Sequence, residues 1–317
     1  MRLAAPLLVF LVAACDRASA GAGASPSVAP AAPSEVATAE SGLPVAASPA
    51  PAVPAPEGAV ACGELDCLAF DSPEHAFARV LEGAPRVLAV GETHAQKGVE
   101  GVPSSTRRFM ETLLPGLKGR ATDLVIELWV ASGKCGKTEK KVAKQTRAVT
   151  VNQAQTNQSE FVELGTAAKR LGIRPHALEP TCEEYERIAG AGAADVAAML
   201  EMIAKRTAAD LKRLSASPAD APPHLVVAYG GALHNDLAPR PGREAWSFGP
   251  EIDRATDGGY VELDLIVREY VLDTEVWRSQ PWYAHFDAAK LPERTLLMRL
   301  RPRSYVLIFP ASERDGG

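Results

Sequence analysis

Six short runs of nearly unbroken Val, Ile and Leu constrain the fold of this chain more than any other feature. They are Arg86–Val90, Leu124–Trp129, Ile173–Leu178, Leu225–Tyr229, Tyr260–Val267 and Tyr305–Phe309. Strands that alternate apolar and polar residues lie with one face in water, whereas continuous apolar strands are buried on both faces. Helical patterns lie between these runs. Ser72 followed by Pro73 opens a helix through Leu81. Ser104 and Ser105 can cap another that carries Phe109, Leu113 and Leu114 until Pro115 and Gly116 weaken it. Phe161–Leu171 and Ala193–Leu214 are further helices, the latter with Val196, Leu200, Ile203 and Leu211 on one stripe. Alternation of this kind predicts an α/β fold: a mainly parallel, doubly wound sheet with helices on both faces, in a single domain. Fewer than eight strand–helix units argue against a closed barrel. Pro175 places the third strand at an edge or makes it irregular.

The predicted domain spans 60–310. Residues 1–15 read as a signal peptide, in which Arg2 supplies the positive charge and Leu3–Val12 an apolar run too short to span a bilayer. Val12-Ala13-Ala14-Cys15 resembles the lipobox of bacterial lipoproteins, which makes Cys15 the lipidation site and the mature N-terminus. Residues 16–59 are nearly all Ala, Pro, Ser, Gly and Val, too poor in large side chains to offset the entropy of ordering, and read as a disordered tether. Residues 311–317 read as a polar tail. The expected address is the cell envelope, lipid-anchored and facing the periplasm, with the membrane as the first partner. A net charge of −5 makes no case for nucleic acid.

Without Cys15, four cysteines remain, an even number suited to two disulfides in an oxidising compartment. Cys62–Cys67 would close a small loop at the domain entrance. Cys135 and Cys182 each follow a predicted strand and could bridge neighbouring loops; the other connectivities stay open. A cysteine metal site is the weaker reading, because Cys-x4-Cys has no second pair at ligand spacing.

Ligands of open α/β sheets sit beyond the carboxyl ends of the strands. Gly91-Glu92-Thr93-His94 follows the first predicted strand, Glu127 lies near the end of the second, Glu179 ends the third, and Gly230-Gly231-Ala232-Leu233-His234 follows the fourth. Parallel strands would bring them to one rim. Gly91 and Gly231 would let the backbone turn and approach a ligand without a Cβ. His94, Glu127 and His234, with Glu92 and Glu179 in support, suit a divalent transition metal such as Zn, Mn, Co or Fe. Without metal, one histidine could serve as general base, oriented by a glutamate. Glu127 inside an apolar strand is the most telling, since a buried carboxylate is costly without a partner. Glu179 could instead cap the helix that follows. No Gly-x-Ser-x-Gly elbow, phosphate loop or dinucleotide fingerprint is present. The basic segment Lys134–Arg147 reads as a solvated, mobile loop that could close as a lid over the strand ends, with contact to anionic lipid headgroups as the alternative.

Val90-Gly91-Glu92-Thr93-His94, the helix with Arg107, Phe109 and Leu113, and Val125-Ile126-Glu127-Leu128 together resemble the opening of the haem-binding-uptake/Tiki superfamily. That group includes ChaN-like lipoproteins, Tiki-type metalloproteases and erythromycin esterase-like hydrolases. Gly231-x-x-His234 resembles the second Gly-x-x-His turn of the Tiki members. By similarity to the hydrolytic branches, His94, Glu127 and His234 would hold a metal or activate water against a peptide, ester or amide bond. By similarity to the ChaN-like branch, the domain would bind haem, in a homodimer, without catalysis. Tyr229 and Tyr185 could be tyrosinate ligands or packing aromatics, and packing is favoured.

Overall fold

Each of the six apolar runs is a strand. The structure, a computed structural model, describes residues 58–99, 101–150, 153–154, 156–216 and 224–312. The expected signal peptide, Cys15 and nearly all of the tether therefore lie outside the described residues, as does most of the C-terminal tail. The elements are β1 (Ala59–Ala61), β2 (Leu68–Phe70), α1 (Pro73–Leu81), β3 (Val87–Glu92), α2 (Ser105–Arg108), β4 (Ala121–Trp129), α3 (Lys137–Val149), α4 (Thr156–Arg170), β5 (Arg174–Leu178), α5 (Cys182–Ile188), α6 (Val196–Ser215), β6 (Leu225–Gly231), α7 (Gly249–Ala255), β7 (Tyr260–Ile266), α8 (Glu275–Arg278), β8 (Thr295–Arg301) and β9 (Ser304–Ile308).

One nine-stranded sheet runs in the order β1-β2-β8-β9-β7-β3-β6-β4-β5. The six strands from β9 to β5 are mutually parallel, and an antiparallel extension of β8, β2 and β1 completes the other side. The fold is therefore the expected α/β sheet with helices on both faces. One face packs against α1, α2 and α4 around Leu88, Val90, Phe109, Phe161 and Tyr229, and the other against α3, α5, α6 and α7 around Val125, Trp129, Ile203, Val226 and Tyr260. Both cores are fully buried, which is why β3 shows no polar alternation. Pro175 does sit on an edge strand, where its missing N–H costs no ladder bond.

The topology contains one rearrangement that matters for function. β6 inserts between β3 and β4, so the loops after β3, β6 and β4 are neighbours, whereas the loop after β5 lies at the sheet margin.

Local signals account for the helix starts. Ser72 accepts from the backbone N–H of His75, and Pro73 occupies the first turn, as expected. Asp195 caps α6 in the same way through the N–H of Ala198. After α2 the chain continues as a wider π turn at Phe109–Leu113 and a 3-10 turn at Leu114–Leu117, which accommodates Pro115. One expectation fails: the basic segment is not a mobile loop, because Lys137–Val149 is the helix α3. Its buried side includes Val142 and Ala143 but also Glu139, Gln145 and Thr146, so apolar periodicity is faint. Both disulfides form as paired, Cys62–Cys67 with Cα atoms 5.1 Å apart and Cys135–Cys182 with Cα atoms 5.2 Å apart.

Candidate active site

The order β3-β6-β4 brings Glu92, His94, Glu127 and His234 to one place at the carboxyl ends of the strands. All four are buried, between 3 and 5% exposed. Glu179 is not among them. It is exposed at the end of edge strand β5, and the carboxylate that caps α5 belongs to Glu184, which forms a capping box with Thr181.

Glu92 is the last residue of β3 and points to the α2/α4 face of the sheet. It collects three partners: His94 Nδ1 at 2.5 Å from Oε1, the Thr106 hydroxyl at 2.6 Å and the Tyr229 hydroxyl at 3.0 Å, both donating to Oε2. A carboxylate can only accept, so it holds the His94 proton on Nδ1 and turns Nε2 toward Gly231. Burial, and then the negative charge of Glu92, push the Tyr229 phenol well above its ordinary pKa. Tyr229 is thus a neutral donor rather than a tyrosinate, packed between Phe109 and Phe161 with ring centroids 4.8 and 5.7 Å away. Burial also raises the Tyr185 phenol, to about 12.

Glu127 points to the opposite face. Its Oε2 accepts from the Gly231 N–H at 2.7 Å, and its Oε1 stands 3.8 Å from His234 Nε2 with no hydrogen-bond partner. His234 Nδ1 lies 2.7 Å from the carbonyl of Trp246, which can only accept. That bond fixes the tautomer and leaves the Nε2 lone pair facing Glu127. Two acceptors at this distance need a donor between them. Beside them is a cavity of about 10 Å³, close to the room one water needs, lined by Glu127, His234, Asn235, Thr207, Ile203 and Phe248 among others.

Gly231 is the hinge of the arrangement. The position a Cβ would take there lies 3.4 Å from His94 Nε2 and 3.6 Å from Glu127 Oε2, so the two side chains meet over its bare Cα. Gly91 plays a different part from the expected one, because protein groups, not a ligand, fill the space its side chain would occupy. A Cβ would fall 2.5 Å from Asp264 Oδ1, 2.6 Å from Asn235 Oδ1 and 2.7 Å from the Cα of Ala232.

Sequence reasoning missed Thr106, Thr207, Asn235, Glu262 and Asp264. Asp264 pairs with Gly91 across β7 and β3 and accepts from Asn235 Nδ2 at 2.9 Å. Burial and the neighbouring charge of Glu262 hold its carboxyl well above the usual range. Asn235 thereby ties the turn carrying His234 to β7. The available signal is Glu262-Leu263-Asp264, two carboxylates in a strand otherwise apolar on both faces.

The expected metal set is not assembled. Among the described residues no three His, Cys, Asp or Glu side chains are grouped to hold a metal ion. Glu92 bonds His94 Nδ1, the Gly231 amide donates to one oxygen of Glu127, and the Trp246 carbonyl accepts from His234 Nδ1; in the structure these groups are arranged as two carboxylate–imidazole pairs. The cavity is also far smaller than a porphyrin.

The sequence matches no protein-family model and no curated protein. Among solved structures, the type III effector HopBA1 is similar at a TM-score of 0.35 and 8% identity, covering 73% of this chain and 90% of that one. A likeness at that level carries no argument about activity.

Proposed function

We propose that this chain is an exported, lipid-anchored hydrolase that cleaves an ester or amide bond with two carboxylate–imidazole pairs. The observation that carries the reading is the facing of His234 Nε2 and Glu127 Oε1 across 3.8 Å, on a cavity of one water's size. A water seated there donates to both, which leaves its lone pairs to attack a carbonyl carbon. His234 or Glu127 takes the proton released on attack. Across Gly231, His94 presents Nε2, and Glu92 stabilises the imidazolium formed when solvent protonates that atom; in this doubly protonated form His94 gives the Nε2 proton to the departing group and returns to the Nδ1–H tautomer. Thr106 and Tyr229 keep Glu92 in place for that task. The sequence Val12-Ala13-Ala14-Cys15 supports the lipid anchor, and two disulfides suit an oxidising compartment. No helix among the described residues is long and apolar enough to cross a membrane.

The test is hydrolysis of nitrophenyl esters and acyl-amide substrates by the purified chain, with Glu127→Gln and His234→Ala beside it. We expect kcat/KM to fall by about 100-fold or more in each. Chelator should leave the wild type unchanged. Full activity in Glu127→Gln, or activity abolished by chelator and restored by a divalent ion, overturns the metal-free reading.

A further inference from the structure

The helix α3 has no part in the site, yet it carries a concentration of charge that nothing nearby neutralises. Lys137, Lys140, Lys141, Lys144 and Arg147 are all exposed, and Lys134 just before the helix adds a sixth cation. At 100° per residue the five helical cations fall within an arc of about 120°, along about 15 Å of helix. Glu139, Val142, Ala143, Gln145 and Thr146 occupy the opposite, buried side. None of the ion pairs among the described residues involves any of the six. On the helix packed against α3, Glu184 of α5 is taken by Arg206 and by its own cap, while Glu183 and Glu186 are exposed and enter no ion pair with the α3 cations. This happens in a chain whose net charge is −5, so the stripe is not a consequence of overall composition.

The stripe is also held rigid. Cys135–Cys182 ties the start of α3 to α5, Glu139 accepts from the backbone N–H groups of Gly133 and Cys135, and Gln145 donates to the carbonyls of Gly190 and Gly192. A solvated face needs no such anchorage, whereas a fixed row of cations meets a plane of negative charge without further ordering cost.

We propose that the α3 stripe docks the domain on anionic phospholipid headgroups. The choice of lipid over another polyanion rests on the lipid-anchored reading, because a chain tethered at Cys15 meets a bilayer surface at high effective concentration. The hydrolytic reading is not involved. Each Lys or Arg close to an anionic leaflet raises affinity by about fivefold, and salt screens the attraction over about 10 Å.

The experiment is co-sedimentation of the full chain, expressed without lipidation, with vesicles of phosphatidylcholine alone or with about one-third phosphatidylglycerol. Wild type is compared with Lys137→Glu/Lys140→Glu/Lys144→Glu and with a charge-matched control, Lys118→Glu/Lys169→Glu/Arg170→Glu, after circular dichroism shows all three folded. We expect the α3 variant to lose partitioning on anionic vesicles by about tenfold or more, with no change on neutral ones and little change in the control. Equal losses in both variants mean that net charge alone acts, and overturn the proposal. So does wild-type binding to anionic vesicles no tighter than to neutral ones. Failure of the lipid anchor would appear separately, as an unmodified Cys15 in the mass of the chain purified from membranes.

Discussion

A side chain at residue 91 has nowhere to go. The obstruction includes the backbone of Ala232, which is fixed because the N–H of residue 232 bonds the carbonyl of Glu92. Gly91→Ala should therefore destabilise the fold by about 1–3 kcal/mol, read as a lowered urea midpoint at unchanged slope. Gly231→Ala makes the contrasting case. Its Cβ would meet neighbours at 3.4 Å and beyond, so stability should hold or rise by up to about 1 kcal/mol while hydrolysis falls, because the methyl stands between His94 and Glu127. If both variants lose stability equally, the distinction between a packing glycine and a site glycine is wrong. The four site residues were legible in the sequence because each lies within an apolar run or in the short segment after one. Their partners were not, because Thr106, Tyr229 and Asn235 reach them through register and loop placement that no local pattern encodes. Gly91 was read as a turn toward a ligand, and its actual reason, the close approach of Asp264 from β7, exists only once the strand order is known.

Among the elements, legibility followed burial. The runs that became β3, β4, β6, β7 and β9 are apolar on both faces and could hardly be anything else. β1, β2 and β8 were missed: the first two are three residues long, and the third ends in charged residues that break its run. Helix α3 was missed because its buried side is half polar. Glu139 there is satisfied by backbone N–H groups, and Thr146 by the carbonyl of Val142. A helix with so thin an apolar face leans on covalent support. Cys135–Cys182 closes a loop of 47 residues, for which chain entropy gives a contribution of about 4 kcal/mol, against about 2 kcal/mol for the five-residue separation of Cys62–Cys67. Cys135→Ser/Cys182→Ser should lower stability by roughly that larger amount and expose α3 to hydrogen exchange before the sheet. A variant that protects α3 as well as the wild type does would show that packing on α5 suffices.

For the whole molecule, the decisive asymmetry is electrostatic. On one side of the sheet, Asp123 of β4 is buried, which pushes its carboxyl up, but hydrogen bonds from His176 and Arg174 hold it below the usual carboxylate range. A depressed folded-state pKa contributes stability above the unfolded value and loses it as pH falls through the folded one, so Asp123 weakens the fold only in strong acid. On the other side, burial raises Glu262 of β7 to about 7, against the lowering effect of the Leu237 N–H and with Asp236 adding repulsion. Here the sign reverses. The folded state binds the proton more tightly than the unfolded chain does, so stability is full below the unfolded value and declines as pH rises through about 7. The decline is on the order of 3 kcal/mol, converted at 1.36 kcal/mol for each pH unit between the two values. This fold should accordingly be most stable in mild acid, where Asp123 is ionised and Glu262 still carries its proton. Urea unfolding followed from pH 4 to pH 8 checks this, with Glu262→Gln as the companion. The variant keeps the shape and a neutral side chain, so it should lose the part of the downward slope that belongs to Glu262, while Asp264, which burial also holds protonated, keeps the remainder and Asp123 still governs the acid limb. A wild-type stability that rises steadily to pH 8 would mean that Glu262 is ionised in the folded protein, and that a neighbouring group supplies the counter-charge.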